Sequence, residues 1–125
     1  MNENDISYLI RGAIFKVYND CGPGLLESVY ETLLAYELEK LGLSVKRQVP
    51  LPVIRDNIHL EKGYRVDLII NDLVAVEIKS TKNLEEVHHM QLLTYLKLSG
   101  LKLGILVNFF TSNISKSIHR KVNNL

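Results

Sequence analysis

A single cysteine, Cys21, stands among 125 residues, so no intramolecular disulfide can form. That scarcity excludes a disulfide-stapled secreted scaffold and points to a reducing, cytoplasmic setting. With no second thiol to make a metal or redox pair, Cys21 is expected to be a packed structural residue. Charge of one sign is also lacking, because 15 Lys and Arg meet 14 Asp and Glu. Bulk charge therefore advertises no nucleic-acid partner, and any basic surface must be local. No apolar stretch reaches the roughly 20 residues of a membrane span, so no membrane role is expected. The start Met1-Asn2-Glu3-Asn4-Asp5 has neither basic residues nor an apolar run, and a signal peptide is not expected. Low-complexity segments and internal repeats are missing as well.

What is present fits one globular domain, residues 1–125, long enough to close a core of helices and sheet. Ile6, Leu9, Ile10, Ala13, Ile14, Val17 and Tyr18 recur at helical spacing, predicting a helix from Asp5 to about Asn19. Gly22-Pro23-Gly24 stops it, and a second helix is expected from about Leu25 to Leu41, ending at Gly42. Val45, Val49, Leu51 and Val53 alternate as a strand, which Pro50 and Pro52 confine to an edge or a bulge. Asp56-Asn57 is a turn signal, a short extended piece follows at Ile58–Leu60, and Gly63 leads onward.

The segment Arg65 to Lys79 reads as a β-hairpin with Val66, Leu68, Ile70, Val74, Val76 and Ile78 on one face. Putting both apolar sets on that face requires Ile70 opposite Val74 across a three-residue loop, Asn71-Asp72-Leu73. A one-residue slip would reverse every side chain. The same register opposes Asp67 to Glu77, with Lys79 beside them on the other face. Beyond the hairpin, Asn83 and Glu86 have capping-box spacing for a helix from about Leu84 to Ser99, closed by Gly100. Leu103 to Phe110 reads as a buried strand. The tail fits a helix through Ile114, Ile118 and Val122, or a strand through Ile118, Arg120 and Val122. The order implies an α/β fold, a mixed sheet flanked by helices.

Asp67, Glu77 and Lys79 suit a hard divalent cation, since Mg²⁺ takes oxygen ligands and often only one or two carboxylates. Lysine beside it could orient a water or neutralise phosphate charge. Alone, the triplet reads equally as a solvated strand face whose acids and base pair. Glu27 adds a carboxylate in line with Tyr30, Leu34, Leu38 and Leu41, in the helix turn where an anion is favoured. Glu31, one turn on, competes for that role. His88, Gln91 and Tyr95 align along one side of the third helix, where Gln91 could hold a water or Lys79 and Tyr95 reach a phosphate. The plain alternative is a polar helix edge. His89 falls on a different part of that helix, and His59 and His119 have no ligand-like spacing.

Gly24-Leu25-Leu26-Glu27-Ser28-Val29-Tyr30 resembles the signature of the GxxExxY proteins, a family within the PD-(D/E)XK nuclease superfamily. Asp67, Glu77-Ile78-Lys79 and Gln91-Leu92-Leu93-Thr94-Tyr95 resemble that superfamily's metal-binding motifs and its RecB-like QxxxY motif, and the likeness runs through Phe109. The proline of the PD element is absent, since Val66 precedes Asp67. The resemblance implies a restriction-endonuclease-like core and a metal site of Glu27, Asp67, Glu77 and the Ile78 carbonyl. Lys79 would be catalytic, with Gln91 and Tyr95 in support and His88 nearby. It implies Mg²⁺ or Mn²⁺ and phosphodiester hydrolysis, first of all in DNA.

The rival is a catalytically silent nuclease-fold module that binds nucleic acid or regulates. Near-neutral charge and small size motivate it. Lys46 with Arg47, and Lys116, His119, Arg120 and Lys121, are the basic clusters such a module would use, and a homodimer would double them.

Overall fold

The computed structural model describes residues 1–51, 53–55, 58–60 and 64–125, with 53–55 and 58–60 described as backbone. The expected Asp56-Asn57 turn, Pro52 and Gly63 lie outside the described residues. Helix α1 spans Glu3–Cys21, longer than the apolar pattern indicates, because Asn2 and Asp5 close a capping box before the first buried residue. Ile6, Ile10, Ala13, Ile14 and Val17 are buried, while Leu9 and Tyr18 lie half-buried at the margins of this stripe. Gly22 and Gly24 take positive φ around Pro23, which ends α1 and turns the chain into α2, Glu27–Lys40. Cys21 is exposed at the end of α1, so the expected packed thiol is not found; the burial stripe ends at Val17.

Five strands form the main sheet in the order β1-β4-β5-β6-β7: Val45–Pro50, Arg65–Ile70, Val74–Lys79, Leu103–Asn108 and Ile118–Val122. β5 and β6 are parallel, and the other neighbours are antiparallel. β2, Val53–Arg55, and β3, Ile58–Leu60, pair as a separate two-stranded ribbon. The proline-bearing β1 lies at the sheet edge, where a missing amide donor costs nothing. The tail takes the strand alternative, entered through a short 3-10 turn at Ile114–Lys116. No helix among the described residues is long and apolar enough to cross a membrane.

The hairpin register is the expected one, with Ile70 opposite Val74, Ile69 opposite Ala75 and Leu68 opposite Val76. Asn71 and Asp72 both adopt positive φ, a conformation their short polar side chains tolerate, and Leu73 is the extra residue. The faces differ from the expectation. Leu68, Ile70, Val74, Val76 and Ile78 pack beneath α1 and α2, whereas Val66 joins Ile69, Ala75 and Leu106 beneath α3, Glu86–Ser99. Alternation breaks between Val66 and Leu68, and the supposedly polar face is itself a second core. Only its end, at Asp67, Glu77 and Lys79, is polar.

α3 seats Leu92, Tyr95 and Leu96 on that second core. Its close approach relies on Gly104 of β6, where an added Cβ would meet three carbons of the Leu92 side chain at 3.1 Å. The helix is capped by Glu85 and His88 rather than Asn83 and Glu86. Both pairs have the required three-residue spacing, and the helix begins only after the loop from β5 has crossed Asn108. That asparagine bonds the Thr81 backbone from both ends of its amide, at 3.1 and 2.9 Å.

Candidate active site at the open end of the hairpin

The β4–β5 ladder stops at Leu68 and Val76, one pair short of opposing Asp67 to Glu77. Instead Asp67 turns its carboxylate into the gap. Its Oδ2 accepts the Ile78 backbone amide at 2.7 Å, satisfying a donor that a strand carbonyl would otherwise take. Ile78 keeps its side chain in the core, so the adjacent Glu77 and Lys79 emerge on the other side. Glu77 is 3% exposed, which places a carboxyl group in the sheet's interior end.

Burial dominates both acids. It pushes Glu77 up to about 7, opposed by the Lys79 charge and the Asp67 amide and reinforced by the charges of Glu27 and Glu31. Asp67 is pushed up to about 6 by burial, opposed by hydrogen bonds from Ile78 and Gln48 and by Lys79, with Glu31 reinforcing the rise. Lys79, half-buried, is thus the cation that both carboxylates feel. The buried Glu77 and half-buried Asp67 are costly to ionise together, with Glu27 and Glu31 in range.

α2 brings those two. Glu27, at the first residue of the helix, is exposed and accepts the Ser80 amide at 3.0 Å, while Ser80 Oγ donates to the Leu25 carbonyl at 2.8 Å. The turn before α2 is thereby fastened to the end of β5. Tyr30 fastens it from inside. Its hydroxyl donates to the Gly22 carbonyl and accepts the Leu25 amide, and its ring stacks on Phe109 at 4.2 Å. The glycine, glutamate and tyrosine of this segment therefore act together: a turn, a carboxylate and a clamp. Tyr30→Phe keeps the stack and strands two backbone partners, so a loss of about 1–2 kcal/mol in unfolding free energy is expected from denaturant titration.

Glu31, not Glu27, is the carboxylate buried within the stripe of α2, because it shares that face with Tyr30, Leu34, Ala35 and Leu38. Arg47 of β1 reaches it with Nε at 2.9 Å and with Nη2 at 2.8 Å. Gln48 Nε2 donates both to Glu31 Oε1 and, at 3.0 Å, to Asp67 Oδ1. Gln48 holds φ 51°, a conformation costing a non-glycine residue about 1–2 kcal/mol. The β1–β4 pairing passes from Arg47–Leu68 to Val49–Val66 and omits Gln48–Asp67. Sequence reasoning missed Gln48 because a left-handed glutamine inside a strand leaves no periodic trace.

The α3 residues are less directly placed. Tyr95 is 2% exposed, packs edge-on against Tyr64, and donates to the Val49 carbonyl at 3.4 Å. It is a core residue with a polar tip, pushed up by burial and by the Glu77 charge, rather than an open phosphate contact. His88 Nδ1 accepts the Glu85 amide at 3.1 Å, giving it a capping role. Gln91 is exposed, on the flank of α3 that also carries Met90 and Thr94. His89, two residues from Gln91 and so on the opposite flank, packs against His119 of β7 at 4.9 Å. The basic clusters are partly spent: Lys46 pairs with Asp72 at 2.7 Å, Arg47 with Glu31, and Arg120 bonds Asn4 and Ser7.

Among the described residues, no three histidine, cysteine or acidic side chains form a ready-made metal cage. A hard cation held by two carboxylates, a backbone carbonyl and water needs none. The oxygen donors, and two acids whose ionisation the fold opposes, fit such an ion.

A sequence model described as the PD-(D/E)XK nuclease superfamily matches residues 4–121. No curated protein and no solved structure matches the chain.

Proposed function

Because the chain belongs to the PD-(D/E)XK nuclease superfamily, we propose that it is a divalent-metal-dependent nuclease acting first of all on DNA, with its centre at Asp67, Glu77 and Lys79. The mixed five-stranded sheet flanked by helices is the restriction-endonuclease-like arrangement of that superfamily. One observation carries the reading most. The hairpin opens where Asp67 leaves the ladder to bond the Ile78 amide, setting the half-buried Asp67 and the buried Glu77 beside one lysine.

Asp67, Glu77 and the Ile78 carbonyl would hold Mg²⁺ or Mn²⁺, with Glu27 joining from α2. When bound, such an ion lowers the pKa of an attacking water and polarises a phosphate oxygen. Lys79 places an ammonium where negative charge builds on the phosphoryl oxygens, an environment in which fixed charges stabilise more than in water. The Ile78 amide fixes the Asp67 carboxylate, so the donor set is preorganised. Glu27 is held by Ser80, and Tyr30 holds the turn that presents it. Tyr95 supports this reading from α3, close enough to feel the Glu77 charge and bonded to the β1 backbone, and Gln91 lies exposed one turn before it.

The silent-module alternative draws on the near balance of charge, whereas ion pairs occupy Lys46 and Arg47, two of the basic residues it would use. A panel of single-stranded, duplex and branched DNA and of RNA separates the two. The nuclease reading expects cleavage with Mg²⁺ or Mn²⁺ that stops with chelator and is strongest on a DNA member. Tight binding with no cleavage of any member under either ion would establish the silent module instead.

A further inference from the structure

We infer that Gln48 is a positioning residue of the cation site, and that through it Glu31 is the α2 carboxylate coupled to Asp67. The inference rests on the cation-site reading proposed above. Carboxylates only accept, and a primary amide nitrogen offers two hydrogens. Gln48 Nε2 delivers them to Glu31 Oε1 and Asp67 Oδ1, so one nitrogen fixes the separation of two acids on different elements. Arg47 holds the Oε2 atom of Glu31, which leaves the Glu31 carboxylate gripped from both sides.

Packing does not account for this arrangement. Gln48 is exposed and belongs to neither core, yet its backbone takes φ 51° and interrupts the pairing of β1 with β4 opposite Asp67. Asn or Gly would make that bend more easily. Glutamine is the residue with the reach to bridge both acids. Unlike lysine or arginine, its amide bridges the two acids without placing a positive charge beside Asp67, while Arg47 already pairs with Glu31.

The test compares Mn²⁺ affinity, by electron paramagnetic resonance of free Mn²⁺, with the unfolding midpoint of the protein in chelator. Wild type, Gln48→Asn, Glu31→Gln, their double variant and Glu77→Gln are measured. Gln48→Asn suits the left-handed backbone but is one methylene too short to bridge. It is expected to keep or raise the midpoint while weakening Mn²⁺ about tenfold, the scale of an outer-shell loss. The double variant is expected to lose no more affinity than the weaker single variant, because both remove one coupling. Wild-type Mn²⁺ affinity in Gln48→Asn, or additive losses in the double variant, would overturn the role of Gln48 while Glu77→Gln still loses binding. No Mn²⁺ binding by wild type, or unchanged binding in Glu77→Gln, would overturn the cation site itself and this inference with it.

Discussion

Glu77→Gln is expected to lower nuclease activity by about 10³-fold and, at pH 8 in chelator, to make the protein more stable by about 2–3 kcal/mol. The loss follows from removing a charged oxygen donor. The gain follows from burial, which pushes Glu77 from the usual 4.5 up to about 7. Because the folded state holds the proton more tightly than the unfolded chain, ionisation opposes folding. The penalty is nil below about 4.5, grows as pH rises, and is complete above about 7. Each tenfold change in proton affinity is about 1.4 kcal/mol, which sets the scale of the gain. Gln has the shape of protonated Glu and carries no charge to bury. Urea titrations at pH 8 and pH 5 should show the stabilisation at the first and little at the second. A destabilised variant at pH 8 would identify Glu77 as an ordinary structural acid.

Divalent cation should stabilise the wild type in proportion to alkalinity. Asp67, pushed to about 6, and Glu77, pushed to about 7, must both lose protons to serve as ligands. Between pH 7 and 6 the apparent Mn²⁺ affinity is expected to fall about tenfold, and more steeply below, as the second carboxyl takes up its proton. In chelator these two groups make stability fall from pH 5 to pH 8, because both folded values lie above the usual ones. Saturating Mn²⁺ opposes that fall. Thermal midpoints from pH 5 to 8, with chelator and with Mn²⁺, should diverge as pH rises. A constant gap would show that neither acid binds the ion.

The hairpin was legible because period-two burial and loop length constrain one another: Ile70 faces Val74 as the pattern requires. Pro50 marked the edge strand through chemistry that no tertiary context overrides. The departures share a cause, which is that long-range packing decides between local alternatives. Val66 follows its apolar neighbour beneath α3 once Gln48 bends β1, and Asp67 bonds an amide instead of merely facing Glu77. Glu27 and Glu31 stand four residues apart on the same helix, and only the approach of β1 determines which of them Arg47 and Gln48 meet. Asp67, Glu77 and Lys79 were readable as a set; the bonds that hold Asp67, from Ile78 and Gln48, join residues 11 and 19 positions apart in sequence.

The most direct measurement is single-turnover cleavage of the best DNA substrate with Mn²⁺ by wild type, Glu77→Gln and Lys79→Ala, each checked for folding by its unfolding midpoint. Wild type is expected to cut. Both variants should be folded and slower by about 10²–10³-fold or more, Lys79→Ala through loss of transition-state charge stabilisation. Cleavage at the wild-type rate by either folded variant would contradict a catalytic centre at the open end of the hairpin.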